Sequence, residues 1–288
     1  MIEVKNLDLI YGSSQILKDI SFKIQRGTMM GLVGPNGAGK SSLIKVLAGL
    51  VYPAKGKIFL DGSEIKFSDI KRLTGFMIDS PAFYPYLSGI QNLGLIKKIN
   101  NSDSNLQHLL NIVGLAYAAK KRVKAYSTGM KQRLAIAAAL LRSPELLILD
   151  EPFNGLDPGG YRDLWELLLG LNKKGVTIVV SSHLLADLEE YSSDFLLINH
   201  GMVALEISKQ DLEATDRMVT FYFTNAPGKK EKSAFDEFNL VASRNSIKVA
   251  MRSKEIATVV KRLVDQATPP INIKTENILQ QTYFNLSR

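Results

Sequence analysis

A glycine-rich segment constrains this sequence more than any other feature. Residues 34–41 read Gly-Pro-Asn-Gly-Ala-Gly-Lys-Ser; they follow the apolar run Met29–Val33 and lead into the helix-like spacing of Lys40–Leu50. In such a segment, the backbone N–H groups of the loop and the positive end of the following helix face phosphate oxygens. The pattern predicts an α/β P-loop fold that binds the phosphates of a nucleotide.

Individual residues of this loop have predicted roles. Lys40 neutralises the charge of the β- and γ-phosphates, and the hydroxyl of Ser41 can coordinate Mg²⁺, which in proteins keeps several waters and takes few protein ligands. ATP and Mg²⁺ are therefore the expected ligands. The predicted nucleotide-binding residues of the loop are Gly34, Pro35, Asn36, Gly37, Ala38, Gly39, Lys40, Ser41 and Ser42.

Two adjacent carboxylates follow a second apolar strand. Leu146–Leu149 leads directly into Asp150 and Glu151. Neighbouring residues of a strand point to opposite faces, so we expect Asp150 to face the metal and Glu151 to address the attacking water. In isolation these residues would be interpreted as solvated acids at the end of a strand. Beside the phosphate loop they predict hydrolysis.

Hydrophobic periodicity divides the chain into two predicted domains. Residues 1–208 are predicted to form a nucleotide-binding domain, which begins with the strands Ile2–Tyr11 and Ile16–Ile24 of an antiparallel β subdomain. Helical spacing over about 88–142, with helices over Ser104–Leu115 and Lys131–Leu141, predicts a helical subdomain. Strands then alternate with helices over Gly160–Lys173 and His183–Tyr191, as in a parallel sheet. Residues 209–288 are predicted to form a small C-terminal α/β extension.

Composition sets limits on this chain without assigning a function. The 288 residues include no cysteine, which excludes disulfides and thiolate metal sites, and no run of about 18 apolar residues that would span a bilayer. The first residues lack a secretory hydrophobic stretch, so we expect no export of the chain. The net charge of +8 suits phosphates, anionic lipid, nucleic acid or simple solubility, and does not choose among them.

Four further motifs occur in an order that resembles the ABC ATPases over roughly the first 210 residues. Taken alone, three of them are more often structural: Tyr11 as a core aromatic, the segment with Ser127 as a helix cap, and His183 as a histidine after a strand. The second motif departs at three positions from the family's usual LSGGQ signature but keeps its serine and central glycine. The motifs are Tyr11; Tyr126-Ser127-Thr128-Gly129-Met130 followed by Lys131-Gln132-Arg133; Asn154-Gly155-Leu156-Asp157; and Ser181-Ser182-His183.

The resemblance implies a role for each motif. Tyr11 would stack on adenine, and His183 would contact the γ-phosphate. Ser127 and Gly129 would bind the ATP held by a partner subunit. Asp157 would lie in the loop that crosses the dimer interface.

The resemblance also implies partners and a place in the cell. Two nucleotide domains, of a homodimer or a heterodimer, would close on two ATP molecules. Integral-membrane permease subunits would use the energy released, with this chain bound peripherally at the cytoplasmic face of the membrane. The implied catalytic residues are Lys40, Glu151 and His183.

One position departs from most relatives. Where the family usually has glutamine, this sequence has Asp79. An acid at that place, together with the signature segment, resembles bacitracin-resistance and lantibiotic-immunity exporters, which implies export of a peptide antibiotic or similar drug. The carboxylate is predicted to bind Mg²⁺, directly or through water. Residues 81–87 either contact the membrane subunit through exposed aromatics or bury Phe83 and Tyr84 in the core.

Two other functions fit parts of the sequence. A soluble ABC ATPase acting on nucleic acid or ribosomes would use the basic charge, but this chain has one nucleotide domain, no coiled-coil insertion and no cysteine. A module that only holds ATP is disfavoured by the presence of Glu151 and His183. We therefore expect the ATPase of a membrane transporter and no nucleic-acid partner.

Overall fold

The computed structural model describes residues 1–78 and 82–286. The chain divides into two compact units, Met1–Glu206 and Ile207–Arg288. The strands of the first unit are β1 (Ile2–Tyr11), β2 (Ser14–Ile24), β3 (Met29–Val33), β4 (Lys55–Leu60), β5 (Ser63–Ile65), β6 (Thr74–Met77), β7 (Leu146–Leu149), β8 (Thr177–Ser181), β9 (Asp194–Asn199) and β10 (Met202–Ser208). Its helices are α1 (Lys40–Leu47), α2 (Phe67–Leu73), α3 (Gly89–Ile99), α4 (Leu106–Ile112), α5 (Thr128–Ala139), α6 (Pro158–Lys173) and α7 (Leu185–Tyr191).

An antiparallel sheet opens the first unit, with the strand order β2-β1-β4-β5. The inward residues of β1 are Ile2, Val4, Leu7 and Leu9, all buried. A shift in register between Val4 and Leu7 keeps the residues before it, Ile2 and Val4, and those after it, Leu7 and Leu9, facing the core, as a β-bulge does. The predicted antiparallel subdomain is confirmed, and β4 and β5, which the sequence analysis did not identify, extend it.

The central sheet has the order β10-β9-β3-β8-β7-β6, and β9, β3, β8, β7 and β6 run parallel to one another. Every residue of β3, β7 and β8 is buried. Strands covered on both faces are apolar throughout instead of alternating, which is why these segments read as continuous hydrophobic runs. The predicted parallel sheet is confirmed.

Helices α3, α4 and α5 pack against one another in the segment between β6 and β7. Capping side chains begin them: Ser88 at α3, Asn105 at α4 and Ser127 at α5 each accept a hydrogen bond from a backbone N–H of the first turn. Such caps satisfy donors that have no partner inside the helix. Within the first unit, the helices whose ends differ from the prediction are Lys40–Leu47 (predicted to residue 50), Leu106–Ile112 (104–115), Thr128–Ala139 (131–141), Pro158–Lys173 (from 160) and Leu185–Tyr191 (from 183).

A two-residue turn joins β9 to β10. His200 and Gly201 both have positive φ, 46° and 74°, as a type I′ turn requires. The Gly201 N–H donates to the carbonyl of Ala38 at 2.9 Å, and its own carbonyl accepts from the N–H of Lys18 at 2.7 Å. A Cβ on Gly201 would lie 2.0 Å from the carbonyl oxygen of Ile16. The turn therefore ties β2 and the phosphate loop to this end of the central sheet.

The second unit is a small α/β fold. Its antiparallel sheet has the order β12-β13-β11-β14 and, from β11 to β14, the βαββαβ pattern of ferredoxin-like domains. Val219 and Phe221 of the sheet pack with Val259 and Leu263 in one apolar core. The elements are α8 (Lys209–Ala214), β11 (Arg217–Tyr222), α9 (Lys229–Ser233), β12 (Leu240–Ala242), β13 (Ser246–Met251), α10 (Ser253–Asp265), β14 (Asn272–Glu276) and α11 (Ile278–Leu286).

None of the helices in residues 1–78 and 82–286 combines the length and the apolar character needed to span a bilayer.

Replacing Gly201 with alanine should lower the free energy of unfolding of the first unit by about 1–3 kcal/mol, because the added methyl group meets the Ile16 carbonyl and the left-handed backbone disfavours alanine. Urea unfolding followed by the fluorescence of Trp165, the single tryptophan of the chain, reports this unit. Gly170→Ala in α6 is the control, since nothing lies within 4 Å of an added Cβ there. That change should stabilise the unit by about 0.5–1 kcal/mol; equal transition midpoints for the two variants would contradict the account.

Candidate functional site

The loop between β3 and α1 has the backbone of an anion cradle. Gly37 and Gly39 have φ values of 79° and 107°, which other residues rarely adopt. An added Cβ on Gly39 would lie 2.9 Å from the side chain of Leu17. Helix α1 begins immediately afterwards, at Lys40, so its free N–H groups lie beside the loop.

Lys40 folds back over this loop. Its Nζ donates hydrogen bonds to the carbonyl oxygens of Gly34 at 2.6 Å and Pro35 at 3.1 Å. Burial lowers the pKa of Lys40, while the charges of Glu151 and Asp150 act to raise it. Because neutral carbonyls are weaker acceptors than phosphate oxygens, a bound phosphate can replace them.

A cleft of about 260 Å³ lies along the loop. The hydroxyl-bearing residues at the start of α1 line it together with the two acids that follow β7. The two motifs most distant in sequence therefore share one cavity. The lining residues are Ile16, Asn36, Gly37, Ala38, Gly39, Lys40, Ser41, Ser42, Asp150 and Glu151.

The hydroxyl of Ser181 connects the two acids. It donates to Asp150 Oδ1 at 2.7 Å and accepts from the backbone N–H of Glu151 at 2.8 Å. Ser181 is fully buried and Asp150 is 7% exposed, so the Ser181 hydroxyl supplies a hydrogen bond to a carboxylate that has little access to water. Strand β7 ends at Leu149, and Glu151 has a left-handed φ of 46°. Alternation along the strand therefore does not set the direction of Glu151, contrary to the sequence argument.

His183 lies next to Glu151. Its Nδ1 is 2.9 Å from Glu151 Oε2. The imidazole is 59% exposed and the carboxylate 27% exposed, which leaves both accessible from solvent. The structure thus brings Lys40, Asp150 and Glu151 to one cleft, with His183 in contact with Glu151.

The signature segment, residues 126–133, does not line the cleft and instead contacts the segment that leads to Asp157. Ser127 caps α5 by accepting from the N–H of Met130 at 3.2 Å. The Gln132 side chain donates from Nε2 to the carbonyl of Asn154 at 2.9 Å, which holds α5 against the segment that leads to Asp157. Asp157 in turn caps α6. The residues that line the cleft do not include Ser127, Gly129 or Asp157.

Among the other predicted residues that the structure describes, Tyr11, Gly34, Pro35 and His183 do not line the cleft. Tyr11 is 46% exposed at the end of β1. Asp79 lies outside the described residues. Tyr84 is 67% exposed, so its predicted alternative position in the core is wrong, while Phe83 is half-buried.

Ile16 and Ser181 are residues of the site that the sequence did not assign. The motif Ser181-Ser182-His183 predicted a role only for its histidine. Adjacency of β7 and β8 puts Ser181 beside Asp150, and that adjacency is a property of the sheet. Nothing in the local sequence signals it.

The donors in the cleft suit Mg²⁺. The Ser41 hydroxyl and the Asp150 carboxylate are hard oxygen ligands, the type this ion prefers. No group of three or more His, Cys, Asp or Glu that could hold a metal occurs within residues 1–78 and 82–286. Mg²⁺ bound by one carboxylate, one hydroxyl, water and substrate phosphates fits that arrangement.

Comparison with known proteins gives consistent matches. The ABC transporter family model matches residues 17–154. The chain is 41% identical over 207 residues to the lantibiotic transport ATP-binding protein SrtF of Streptococcus pyogenes, covering 72% of this chain and 90% of SrtF. It is 36% identical over 225 residues to the bacitracin transport ATP-binding protein BcrA of Enterococcus faecalis, covering 76% and 73% of the two chains.

Solved structures share the fold. The structure of an ATP-binding subunit of an ABC transporter is 32% identical, with a TM-score of 0.65 over 74% of this chain and 92% of that one. An ATP-binding cassette solved as a dimer in a post-hydrolysis state, bound to ADP and Pi, is 25% identical, with a TM-score of 0.63 over 73% and 99% of the two chains. The predicted P-loop fold and the predicted resemblance are confirmed.

Removing the Ser181 hydroxyl should lower the free energy of unfolding by about 1–3 kcal/mol, because Asp150 loses a donor and the Glu151 N–H loses its acceptor. Urea unfolding of Ser181→Ala, followed by Trp165 fluorescence, measures this change. Ser182→Ala is the matched control: it is also buried, and within residues 1–78 and 82–286 its hydroxyl accepts one hydrogen bond, from the Leu184 N–H. Its expected cost is at most about 1 kcal/mol. Equal losses in the two variants would show that the link between the acids contributes nothing.

Proposed function

This chain belongs to the ATP-binding proteins of ABC transporters and hydrolyses ATP, and from that premise we propose that the cleft along residues 36–42 is its catalytic site. The observation that carries the proposal is the shared lining of that cleft by the phosphate loop and by Asp150 and Glu151. The loop follows β3 and the two acids follow β7, so the fold of the sheet brings them together.

Each charged residue has a proposed part in hydrolysis. The N–H groups of the loop and the start of α1 bind the phosphates, with Lys40 exchanging its carbonyl partners for phosphate oxygens. Glu151 orients the attacking water and accepts its proton. His183, beside Glu151, stabilises the transferred γ-phosphate. Tyr11 is proposed to stack on adenine.

Ser41 and Asp150 are the residues proposed to hold Mg²⁺. When bound, this ion supplies positive charge to the phosphate oxygens during transfer. The Ser181 hydroxyl fixes the Asp150 carboxylate from the side of the protein interior. Asp79 remains a predicted further ligand.

A second nucleotide-binding subunit is proposed to complete the site. Ser127 and Gly129 do not line the cleft of their own chain, yet the start of α5 offers free N–H groups suited to an anion. In a dimer, this segment of one subunit would face the ATP held by the other. Asp157, which caps α6 close to that segment, would lie at the interface. The dimer state of the solved cassette supports this arrangement.

The proposed role of the whole chain is to power export of a peptide antibiotic or a similar drug through separate membrane permease subunits. SrtF and BcrA are named for lantibiotic and bacitracin transport, and they share 41% and 36% identity with this chain. An acid at position 79 points to the same branch. The chain would then bind peripherally at the cytoplasmic face of the membrane.

Glu151→Gln should lower ATP turnover by about 100- to 10,000-fold while retaining ATP binding, because the amide keeps the shape of the side chain but cannot accept the proton. Phosphate release and binding of a fluorescent ATP analogue measure the two properties. Glu166→Gln, the same chemical change at an exposed position of α6, should alter neither. Wild-type turnover in Glu151→Gln, or an equal loss in both variants, would overturn the assignment of this cleft.

A further inference from the structure

A group of aromatic side chains connects α6 to its neighbours in the first unit. The ring of Trp165 stacks on Phe153, with ring centres 4.3 Å apart, and on Tyr191 of α7, with ring centres 4.5 Å apart. The ring centre of Tyr161 lies 4.9 Å from that of Phe153. Phe153 and Trp165 are 6% and 2% exposed, so these contacts are part of the core. Helix α6 therefore contacts both the segment that follows Glu151 and helix α7.

A hydrogen bond joins the first turns of α6 and α7. The Tyr161 hydroxyl donates to Asp187 Oδ2. Burial, together with this hydrogen bond, raises the pKa of Tyr161 to about 12, so the phenol remains a donor near neutral pH. A hydrogen bond to a carboxylate is stronger than one between neutral groups. Tyr161 and Asp187 precede Trp165 and Tyr191 by four positions each, so the hydrogen bond and the ring stack lie one turn apart on both helices.

His183 lies on a short connection next to this hydrogen bond. Residues 182–184 separate β8 from α7. The N-cap residue of α7 is Leu184, whose side chain has no hydrogen-bonding group, whereas Asp187 in the first turn ties the helix to Tyr161. The imidazole of His183 is 59% exposed, so packing around the ring does little to hold it. Its position therefore depends on the start of α7.

The carboxylate and the imidazole of the site are both held by way of α6. Glu151 is followed two residues later by Phe153, which stacks on α6. His183 is followed four residues later by Asp187, which bonds to α6. The Nδ1 of His183 lies 2.9 Å from Glu151 Oε2. Loss of either contact with α6 would change the position of one of these two groups relative to the other.

We propose that Tyr161 and Asp187 are positioning residues for ATP hydrolysis, whose hydrogen bond holds His183 beside Glu151. The inference rests on the proposed function, which makes the cleft at Glu151 the catalytic site. Neither Tyr161 nor Asp187 lines this cleft, so they act through His183. A misplacement of about 1 Å can lower turnover about 100-fold, even when the change lies far from the reacting atoms.

Tyr161→Phe tests the hydrogen bond, because it keeps the ring against Phe153 and removes only the hydroxyl. The kcat for ATP hydrolysis should fall about 10- to 100-fold. The KM for ATP and the binding of a fluorescent ATP analogue should change less than about twofold, since the proposed phosphate-binding residues are 36–42. An equal loss of binding and turnover would indicate a general structural role and would overturn the proposal.

Two changes at Asp187 test the same bond from its other side. Asp187→Asn should keep turnover within about threefold of wild type, because the amide oxygen also accepts from the phenol. Asp187→Ala should lower kcat as much as Tyr161→Phe, and the double variant should lose no more than either single variant. Equal turnover in Asp187→Asn and Asp187→Ala would contradict a role for the hydrogen bond.

Removal of His183 tests whether the bond acts through that residue. In a His183→Ala background, Tyr161→Phe should change the residual turnover less than about twofold, because the group that it positions is absent. Release of radiolabelled phosphate measures these low rates. A further loss as large as that in the wild-type background would show that Tyr161 acts elsewhere, and the proposal would fail.

Tyr191→Phe is the matched control on the same pair of helices. It keeps the ring stack on Trp165 and removes a hydroxyl that bonds to Glu190 of α7 itself. Turnover of this variant should stay within about twofold of wild type. A loss equal to that of Tyr161→Phe would show that any hydroxyl in this region matters equally.

Glu151→Gln and His183→Ala separate this inference from the proposed function. If both lose turnover while Tyr161→Phe retains it, the positioning role alone is overturned. If both retain wild-type turnover, the proposed function fails as well.

Discussion

The chemistry of this chain depends on three parallel strands that lie side by side and end at the same edge of a sheet. In the order β3-β8-β7, the first strand leads into the phosphate loop, the second ends at Ser181 and leads to His183, and the third leads into Asp150 and Glu151. Parallel strands share one direction, so the segments that leave their carboxyl ends meet there. The proposed phosphate-binding backbone, metal-binding oxygens and base are thus brought together although they are far apart in the sequence.

The hydrogen bonds that stabilise the buried groups of the site lie at the same edge of the sheet. A carboxylate as buried as Asp150 needs a donor, and Ser181 of the neighbouring strand supplies it. The same hydroxyl accepts from Glu151, whose left-handed backbone turns the chain out of the strand. One buried hydroxyl thus couples the proposed metal ligand to the proposed base. The edge is further fixed by the Gly201 turn, which bonds to Ala38 of the phosphate loop.

How far the sequence predicts this molecule depends on the range of each interaction. The phosphate loop, the buried strands and the position of the two acids after β7 are local patterns, and the structure has them where the sequence predicts. The direction of Glu151 is different, because its left-handed backbone and not strand alternation sets it. Helix ends were misplaced because single side chains such as Asn105 and Asp157 set them. The role of Ser181 escaped the sequence analysis for another reason: it arises from the pairing of β7 with β8, which are distant in sequence. Strand β4, the polar run Lys55–Leu60, has too little apolar character to be recognised alone.

The proposed role of this cleft is to hydrolyse ATP and so to power a separate membrane subunit. An affinity-tagged Glu151→Gln chain, incubated with ATP and detergent-solubilised native membranes, tests it most directly, because blocked hydrolysis should preserve the closed, ATP-bound complex. The account predicts that a polytopic membrane protein co-purifies with this variant in the presence of ATP, and is lost when Lys40 is also replaced. Recovery of ribosomes or nucleic acid in place of a membrane protein would contradict it.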